Sequence, residues 1–416
     1  MSLINRFSLG NGLRVVHEQD TSTQMVTLNV LYLVGSRNED EQHTGFAHLF
    51  EHLMFGGSIN IPDYDTPLQM ACGDNNAFTT SDYTNYYLTV PAANVETGFW
   101  LESDRMAGLA FTPQSLKVQR KVVMEEFKQH YITPPYGDIQ HLMSALAYQV
   151  HPYRWPTIGR ELEHIAQVKM DEVKDFFFRF YAPNNAILSV VGNITLEDTK
   201  RLTEKWFGPI PARKIECLPI PQEPIQTEER RMAVKRSVPA NVLYMSFPIA
   251  GVMHPDFHCC DMISDILSAG RSCRLNRHLV EEQHLFTSID AYIQARIDPG
   301  QLLICGMPTE GVPMEEAEAA VWKELDDLLK EGVDTAELEK VKNKFETNLM
   351  RERANRQKRA ATLAFYEMLG DATWSETEVE NYRKVTKEHF MQVYKNTVKR
   401  EKASVLWYMR MDENEG

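Results

Sequence analysis

The chain has 416 residues, enough for two or more substantial cores, and 43% hydrophobic with 25% charged residues is the composition of an ordinary soluble globular protein. The net charge of −14 argues against a nucleic-acid-binding surface, and no apolar run approaches the length of a membrane span. Six scattered cysteines without a CxxC pair predict buried, reduced thiols and a reducing compartment. The expected location is therefore the cytoplasm, or the periplasm if a signal peptide has been removed.

The first half of the chain alternates strand-like with helix-like segments. Short apolar runs predict strands, and apolar residues at helical spacing predict helices. The predicted strands are 12–17, 25–34, 85–90 and 186–191, and the predicted helices are 93–106, 112–130 and 170–180. This mixture predicts an α+β fold in which helices pack on largely antiparallel sheets.

Between two of these strands lies the motif His48-Leu49-Phe50-Glu51-His52. Residues four apart on a helix share one face, so His48 and His52 can present ring nitrogens to one metal ion if this segment is helical. Glu51 is close enough to reach a water on that metal as a general base without binding the metal itself. An apolar face that favours a helix is formed by Leu49, Phe50, Leu53 and Met54.

The motif needs a third ligand before it predicts a catalytic metal. An HxxEH string arises by chance in roughly a few per cent of such chains, so a pair of surface histidines on a helix is the alternative. A zinc hydrolase uses three protein ligands and an open position. The predicted helix 112–130 offers Glu125 and Glu126, and helical phase places Glu126 at the edge of the buried stripe, with Glu125 nearer Lys121 and Lys128. Glu126 is therefore the predicted third ligand.

The second half repeats the first without the metal site. Residues 29–32 recur as 241–244, and a proline-punctuated segment, 208–224, predicts a semi-rigid linker between the halves. The apolar face of the HxxEH helix matches Met262, Ile263, Ile266 and Leu267, and the ligand positions become Asp261, Ser264 and Asp265. We predict domain 1–220, which carries the metal site, and a homologous domain 221–416, which does not.

Two other segments of the second half attract attention. The helical run 315–368 is rich in Glu–Lys pairs and is predicted to be a solvated scaffold. The cluster His254, His258, Cys259 and Cys260 could be mistaken for a metal site. Pro255 indicates that a helix begins only after the first of these histidines, which favours a structural role for the cluster.

Taken together, these residues resemble the pitrilysin (insulinase-type) family of zinc metallopeptidases, in which HxxEH is followed by a glutamate in an Arg-x-Val-Val-x-x-Glu helix. Within that family, the chain resembles the zinc-bearing subunit of the bacterial mitochondrial-processing-peptidase-like members. Further matching motifs cover nearly the whole chain: Asn76-Ala77-Phe78-Thr79, Asp82-Tyr83-Thr84, Val90-Pro91, His151-Pro152-Tyr153, Gly159, Tyr181-Ala182-Pro183-Asn184-Asn185-Ala186 and Val191-Gly192.

The resemblance implies one Zn²⁺ per chain in a duplicated fold of two homologous α+β domains. His48, His52 and Glu126 would be the zinc ligands. Glu51 would be the catalytic base, taking a proton from water and passing it to the leaving amine. An extended peptide would be the substrate.

The resemblance also implies that Asn76, Ala77 and Phe78 belong to an edge strand that pairs with the substrate. A free strand edge can hold any peptide through main-chain hydrogen bonds, which leaves side-chain pockets to set preference. From the residues alone, a turn after Gly73-Asp74 is an equal interpretation of Asn76.

Two departures from the family pattern bear on activity. Gln119 stands where the family carries a second glutamate, so a neutral amide replaces a carboxylate behind the metal site. Val280 and Thr287 stand where active single-chain members carry an arginine and a tyrosine that clamp the substrate carbonyl, and neither can donate a charge-assisted hydrogen bond. The chain therefore resembles one subunit of a heterodimer with a homologous partner, or of a homodimer.

The expected function is a zinc-dependent endopeptidase that hydrolyses extended or small peptides inside a dimeric chamber, without nucleic-acid or membrane partners. The alternative is a catalytically weak or inactive structural or peptide-binding subunit of a pitrilysin-family complex. The intact ligands count against this alternative, whereas Gln119 and the missing clamp count for it. A zinc-requiring peptide binder without turnover is a third possibility.

Overall fold

The computed structural model of the protein describes residues 3–216 and 219–411. The strands are β1 (Ile4–Ser8), β2 (Arg14–Gln19), β3 (Met25–Tyr32), β4 (Asp74–Thr79), β5 (Thr84–Pro91), β6 (Ala186–Gly192), β7 (Arg230–Arg236), β8 (Val242–Ile249), β9 (Phe286–Gln294), β10 (Gly300–Pro308) and β11 (Ser404–Arg410). The α-helices are α1 (Phe46–Leu53), α2 (Asp65–Met70), α3 (Val95–Ala107), α4 (Pro113–Phe127), α5 (Ile139–Ala147), α6 (Leu162–Ala166), α7 (Met170–Phe180), α8 (Leu196–Phe207), α9 (Phe257–Ser268), α10 (Met314–Glu331), α11 (Thr335–Ala354), α12 (Arg356–Leu369), α13 (Glu378–Lys384) and α14 (Lys387–Thr397). Short 3₁₀ segments are Ser36–Asn38, Ala92–Asn94, Pro152–Arg154, Pro183–Asn185, Ala372–Glu376 and Arg400–Lys402, and π-helical segments are Lys128–Ile132 and Asn276–Glu282.

The chain divides into two compact units, each built around one sheet. Unit one comprises residues 3–129, 155–216, 219–221 and 350–377, and unit two comprises residues 130–154, 222–349 and 378–411. The contiguous domains predicted at 1–220 and 221–416 differ from these units in two segments. Residues 130–154 pack in unit two and residues 350–377 pack in unit one, because core contacts and not chain order decide membership. In unit two, α5 packs through Ile139 and Met143 on Val242 and Leu406, and in unit one α12 packs through Ala360, Leu363 and Ala364 on Leu31 and Ile187.

Sheet one, in unit one, has the strand order β1-β2-β6-β3-β5-β4. Its neighbours are antiparallel apart from the parallel pair β2 and β6. The central strands β3 and β6 are buried along nearly their whole length and are mostly apolar, as expected for strands covered on both faces. Helices α1, α3, α8 and α12 pack on this sheet, and β4 forms its outer edge. The edge position of Asn76, Ala77 and Phe78 is thus confirmed.

Sheet two, in unit two, has the order β7-β11-β8-β10-β9, with β7 and β11 parallel and the other neighbours antiparallel. This is the order and direction of β2-β6-β3-β5-β4 in sheet one. Helix α9 follows β8 as α1 is the first α-helix after β3, and the apolar residues predicted to match are all buried: Met262, Ile263, Ile266 and Leu267. The α+β class with two similar units is therefore confirmed.

Residues 315–368 are helical as predicted, but the prediction of a solvated scaffold is wrong for α10 and α12. The run forms α10, α11 and α12, and the buried face of α10 includes Val321, Trp322, Leu325 and Leu328. Most Glu and Lys side chains of these helices are exposed, although Glu318, Glu324, Lys342 and Glu367 are buried. Apolar residues at helical spacing give α10 and α12 inner faces, each of which packs on the sheet of its own unit. Because charged residues are so frequent in this run, the sequence interpretation overlooked the apolar residues at helical spacing.

The histidine and cysteine cluster of unit two serves packing, in agreement with the sequence interpretation. Helix α9 begins at Phe257, after Pro255; His254 is exposed, His258 pairs with Glu378 at 3.1 Å, and Cys259 is buried. The described cysteines are free thiols, of which Cys72 is exposed, and Cys217 lies outside the described residues. Across residues 3–216 and 219–411, the helices are too short or too polar to cross a membrane.

Candidate metal centre

Helix α1, which carries the HxxEH motif, begins at a position that requires glycine. Gly45 has φ +89°, and a Cβ there would lie 2.6 Å from the carbonyl oxygen of Ile158. The buried carboxylate of Glu39 accepts the N–H groups of Gly45 at 2.9 Å and Ala47 at 2.8 Å, which satisfies two free donors at the helix start. Burial raises the pKa of Glu39 to about 8. Sequence reasoning missed Glu39 because it lies too far from the helix start to form a local capping motif.

The apolar face of α1 is buried as predicted, and it orients the motif. Leu49, Phe50, Leu53 and Met54 are at most 5% exposed. The Phe50 ring lies 5.0 Å from that of Phe176 and 5.1 Å from that of Tyr181. This packing leaves the side chains of His48 and His52 partly accessible, at 12% and 24%.

Helix α4 brings the third predicted ligand to α1. Thr112 caps its first turn by accepting the Ser115 N–H at 3.0 Å, and Pro113 occupies the first helical position. The regular helix ends at Phe127 and continues as the π-helical segment Lys128–Ile132, whereas one helix over 112–130 was predicted. Glu126 faces the histidines of α1, while Glu125 is exposed and pairs with Lys128 at 2.7 Å, so the two glutamates separate as helical phase predicts.

The three predicted ligands converge in unit one. Among the described residues, His48, His52 and Glu126 form the only group of three or more His, Cys, Asp or Glu side chains whose donor atoms lie within 4.8 Å of one another. Glu126 Oε1 is 3.6 Å from His48 Nε2, and Glu126 Oε2 is 3.3 Å from His52 Nε2. Ligands about 2.1 Å from a tetrahedral zinc are separated by about 3.4 Å, so these distances match the edges of a zinc site.

The state of His48 also suits a metal ligand. Burial lowers the pKa of His48 to about 4, so its ring is neutral at pH 7, as metal binding requires. Its Nδ1 is buried without a hydrogen-bond partner in the described chain, and its Nε2 is too far from Glu126 for a hydrogen bond. Nε2 is the nitrogen that faces Glu126, so it is the atom that would bind a metal ion here. The donor set of two imidazoles and one carboxylate therefore fits zinc.

Glu51 lies beside the three ligands and is itself held in place. It is half-buried, and its Oε2 accepts the hydroxyl of Thr79 at 2.6 Å. Burial raises the pKa of Glu51, which moves it in the direction useful for a group that must both take up and release a proton. Sequence reasoning named Thr79 as part of the Asn76–Thr79 motif but missed its contact with Glu51, because the two residues are 28 positions apart and no local pattern links them.

Strand β4 presents the predicted substrate-binding residues at the edge of sheet one. Its side chains alternate in exposure, and Asn76 and Phe78 are on the exposed side. The Ala77 N–H donates to the side-chain oxygen of Asn76 at 2.8 Å. The role of this strand in binding peptide stays a prediction.

The residues that depart from the family pattern are placed as follows. Gln119 is half-buried on α4, two turns before Glu126. In unit two, Val280 lies in the π-helical segment Asn276–Glu282 and packs against the core of sheet two. Thr287 lies in β9, where its hydroxyl donates to the Met307 carbonyl at 3.1 Å.

Gln119→Glu is expected to tighten zinc binding about tenfold or more. A carboxylate on this face of α4 adds a negative charge near the metal ligands, and groups that support metal ligands alter metal affinity about 10- to 100-fold. Zinc competition with a chromogenic chelator measures the change. Lys121→Glu, which adds an acid to a solvent-facing position of the same helix, is the control. Equal zinc affinity in Gln119→Glu and the natural chain would contradict the prediction.

Comparison with known proteins assigns the family. A family model described as insulinase (peptidase family M16) matches residues 14–160, and one described as peptidase M16 inactive domain matches residues 167–345. The chain belongs to peptidase family M16, the pitrilysin type. It is similar to the zinc protease PqqE of Helicobacter pylori, at 29% identity over 341 residues that cover 80% of this chain and 77% of that protein.

Solved structures agree with this assignment. The crystal structure of a protease from Helicobacter pylori superposes with a TM-score of 0.92 at 25% identity and covers 98% of this chain and 100% of that one. Pitrilysin itself superposes with a TM-score of 0.78 at 18% identity, over 98% of this chain but 45% of its own. The duplicated pitrilysin-like fold is confirmed, and the chain spans about half the length of pitrilysin.

Proposed function

We propose that this chain is a zinc-dependent endopeptidase that hydrolyses extended or small peptides. The observation that carries the proposal is the convergence of His48, His52 and Glu126 within 4.8 Å, with the carboxylate of Glu51 beside them. Membership of a peptidase family whose relatives include a named zinc protease supports the choice of metal and of reaction. The half-buried site keeps one side accessible to a substrate.

The side chains divide the work of peptide hydrolysis. His48, His52 and Glu126 would hold one zinc ion, which supplies Lewis-acid polarisation and makes water more acidic. Glu51 accepts a proton from the attacking water and returns it to the leaving amine. Its raised pKa favours the first half of this exchange, the uptake of the proton, and the Thr79 hydroxyl holds the carboxylate in place.

The substrate would lie along the free edge of β4. An edge strand offers N–H and C=O groups that pair with any extended peptide, so recognition depends on backbone and only secondarily on side chains. Asn76 and Phe78 are exposed there and would contact substrate side chains. Folded proteins lack a free extended segment, and such a site therefore favours peptides.

Full activity would require a second, homologous chain in a dimeric chamber. Val280 and Thr287 offer neither a cation nor a phenol to the developing oxyanion, and the chain spans about half the length of pitrilysin. A heterodimer whose partner supplies an arginine and a tyrosine explains both observations. A homodimer would lack this clamp on both sides.

The isolated chain is expected to bind one zinc and to cleave peptides slowly, and a homologue that carries Arg and Tyr at the positions of Val280 and Thr287 is expected to raise kcat about 10²-fold or more. Removal of a single oxyanion donor from an enzyme costs about 10²–10³ in kcat. Cleavage of a quenched fluorescent peptide library measures the rise. The homologue mixed with a Glu51→Gln chain is the control and should remain inactive. High specific activity of the isolated homo-oligomer would contradict this prediction.

A non-proteolytic subunit of an M16 complex is the second candidate function. The neutral Gln119 behind the metal site favours it, as does the match of residues 167–345 to a domain described as inactive. Elemental analysis of metal-replete protein separates the candidates. A chain without stoichiometric zinc would support the structural subunit, whereas zinc with bound but intact peptides, detected by mass spectrometry, would indicate a peptide binder without turnover.

A further inference from the structure

Thr79 connects the edge strand of sheet one with the proposed catalytic base. It is the last residue of β4, and its hydroxyl donates to Glu51 Oε2 at 2.6 Å. Helix α1 packs directly against β4. Thr79 thus joins the strand proposed to hold substrate to the carboxylate proposed to move the proton.

The local geometry makes this hydroxyl a rigid donor. Thr79 pairs with Thr84 across the β4–β5 ladder, so its backbone is fixed on one side. Its branched side chain restricts χ1, and the alternation along β4 places it on the less exposed face with Asn75 and Ala77. The Glu51 side chain has two flexible methylene groups and can adopt many orientations. The hydrogen bond from the fixed Thr79 hydroxyl favours one of them.

Thr79 holds the carboxylate of Glu51 in two ways. Oε2 accepts the Thr79 hydroxyl, and the backbone of Thr79 also contacts the carboxylate. A charge-assisted O–H to carboxylate bond of this length is among the stronger hydrogen bonds in proteins. Thr79 contributes no metal ligand, and the distances among His48, His52 and Glu126 do not involve it.

We propose that Thr79 is a positioning residue for Glu51, and that β4 thereby links peptide docking on its free edge to the orientation of the base. The inference deepens the proposed peptidase function and rests on it for its catalytic part. Pairing of a peptide with β4 would stiffen the strand, and Thr79 would transmit that order to Glu51. The residue acts through Glu51 and makes no contact with the reacting bond.

The kinetic test compares Thr79→Val, which removes the hydroxyl but keeps the shape, with Thr79→Ser, which keeps the hydroxyl. In the chain assayed with its partner, Thr79→Val should lower kcat about tenfold or more with KM within about twofold, and Thr79→Ser should restore kcat to within about threefold. Zinc content should stay at one per chain in both variants. The control is Thr27→Val, whose hydroxyl is buried in the same sheet and pairs with Thr89 at 3.0 Å. Equal kcat in Thr79→Val and the natural chain, equal losses in Thr79→Val and Thr27→Val, or failure of Thr79→Ser to recover would overturn the assignment.

A second test needs no activity. The natural chain, Thr79→Val, Glu51→Leu and the double variant are compared after zinc is removed by chelation. Thr79→Val should lower Tm in the natural background and have little effect in the Glu51→Leu background, where the acceptor is absent. If the Tm shift of the double variant equals the sum of the shifts of the two single variants, the Thr79 assignment is overturned, whatever the activity assays show. Absence of hydrolysis by the natural chain with every partner tested would instead overturn the proposed peptidase function, and the Tm cycle would still decide the contact between Thr79 and Glu51.

Discussion

Glu51→Gln is expected to keep one zinc per chain and to lower kcat about 10²- to 10⁴-fold, the usual contribution of a general acid–base group. Glutamine has nearly the shape of glutamate and can still accept the Thr79 hydroxyl, but it cannot take a proton from water at neutral pH. Glu51 is not one of the three converging donors, so the metal should remain. Zinc analysis and peptide cleavage on the same preparation measure both quantities.

Glu125→Gln is the matched control for this experiment. Glu125 is exposed and paired with Lys128 on the outer side of α4, so the same chemical change there should leave zinc content and kcat close to their natural values. Normal hydrolysis by Glu51→Gln would show that another group accepts the proton. Loss of zinc from Glu51→Gln would show that Glu51 holds the metal.

Glu126→Gln is expected to weaken zinc binding by more than about 100-fold, the upper range for changes in groups that only support a ligand. The substitution removes a negative charge that lies 3.3 Å and 3.6 Å from two imidazoles, and a neutral amide oxygen is a much weaker zinc ligand than a carboxylate. Hydrolysis should fall in parallel with zinc occupancy. Competition with a chelator of known affinity measures the first quantity.

The same control, Glu125→Gln, distinguishes the two adjacent glutamates of α4. If Glu125→Gln loses zinc and Glu126→Gln retains it, the helical phase inferred from the sequence and the geometry of the site would both be contradicted. Similar modest losses in the two variants would indicate a general effect of negative charge near the histidines. Circular dichroism of both variants checks that α4 remains helical.

Short-range patterns in the chain predicted many elements of unit one. The helix predicted at 170–180 is α7, and the strands predicted at 25–34 and 186–191 are β3 and β6 within two residues at each end. The buried face of α1 was predicted residue by residue, because apolar spacing at 3.6 residues per turn depends on nearest neighbours alone. The same periodicity distinguished Glu126 from Glu125.

Long-range packing accounts for what the patterns did not reveal. Glu39 caps α1 and Thr79 holds Glu51 through contacts between segments that are distant in the chain. The assignment of 350–377 to unit one depends on the fit of α12 to sheet one, and the charged outer face of the 315–368 run concealed its buried one. No local propensity encodes which surface a helix meets.

By itself, the sequence determined the HxxEH part of this candidate site, its helical frame and the resemblance to the family. His48, Glu51 and His52 lie within about one helical turn, so their spacing in the sequence already places them on one face of the helix. Only the tertiary structure decided that Glu126 lies 3.3 Å and 3.6 Å from the two histidines and that β4 contacts Glu51 through Thr79. The physical reason is that spacing within a helix follows from backbone geometry, whereas the approach of two helices and a strand edge follows from the packing of the whole core.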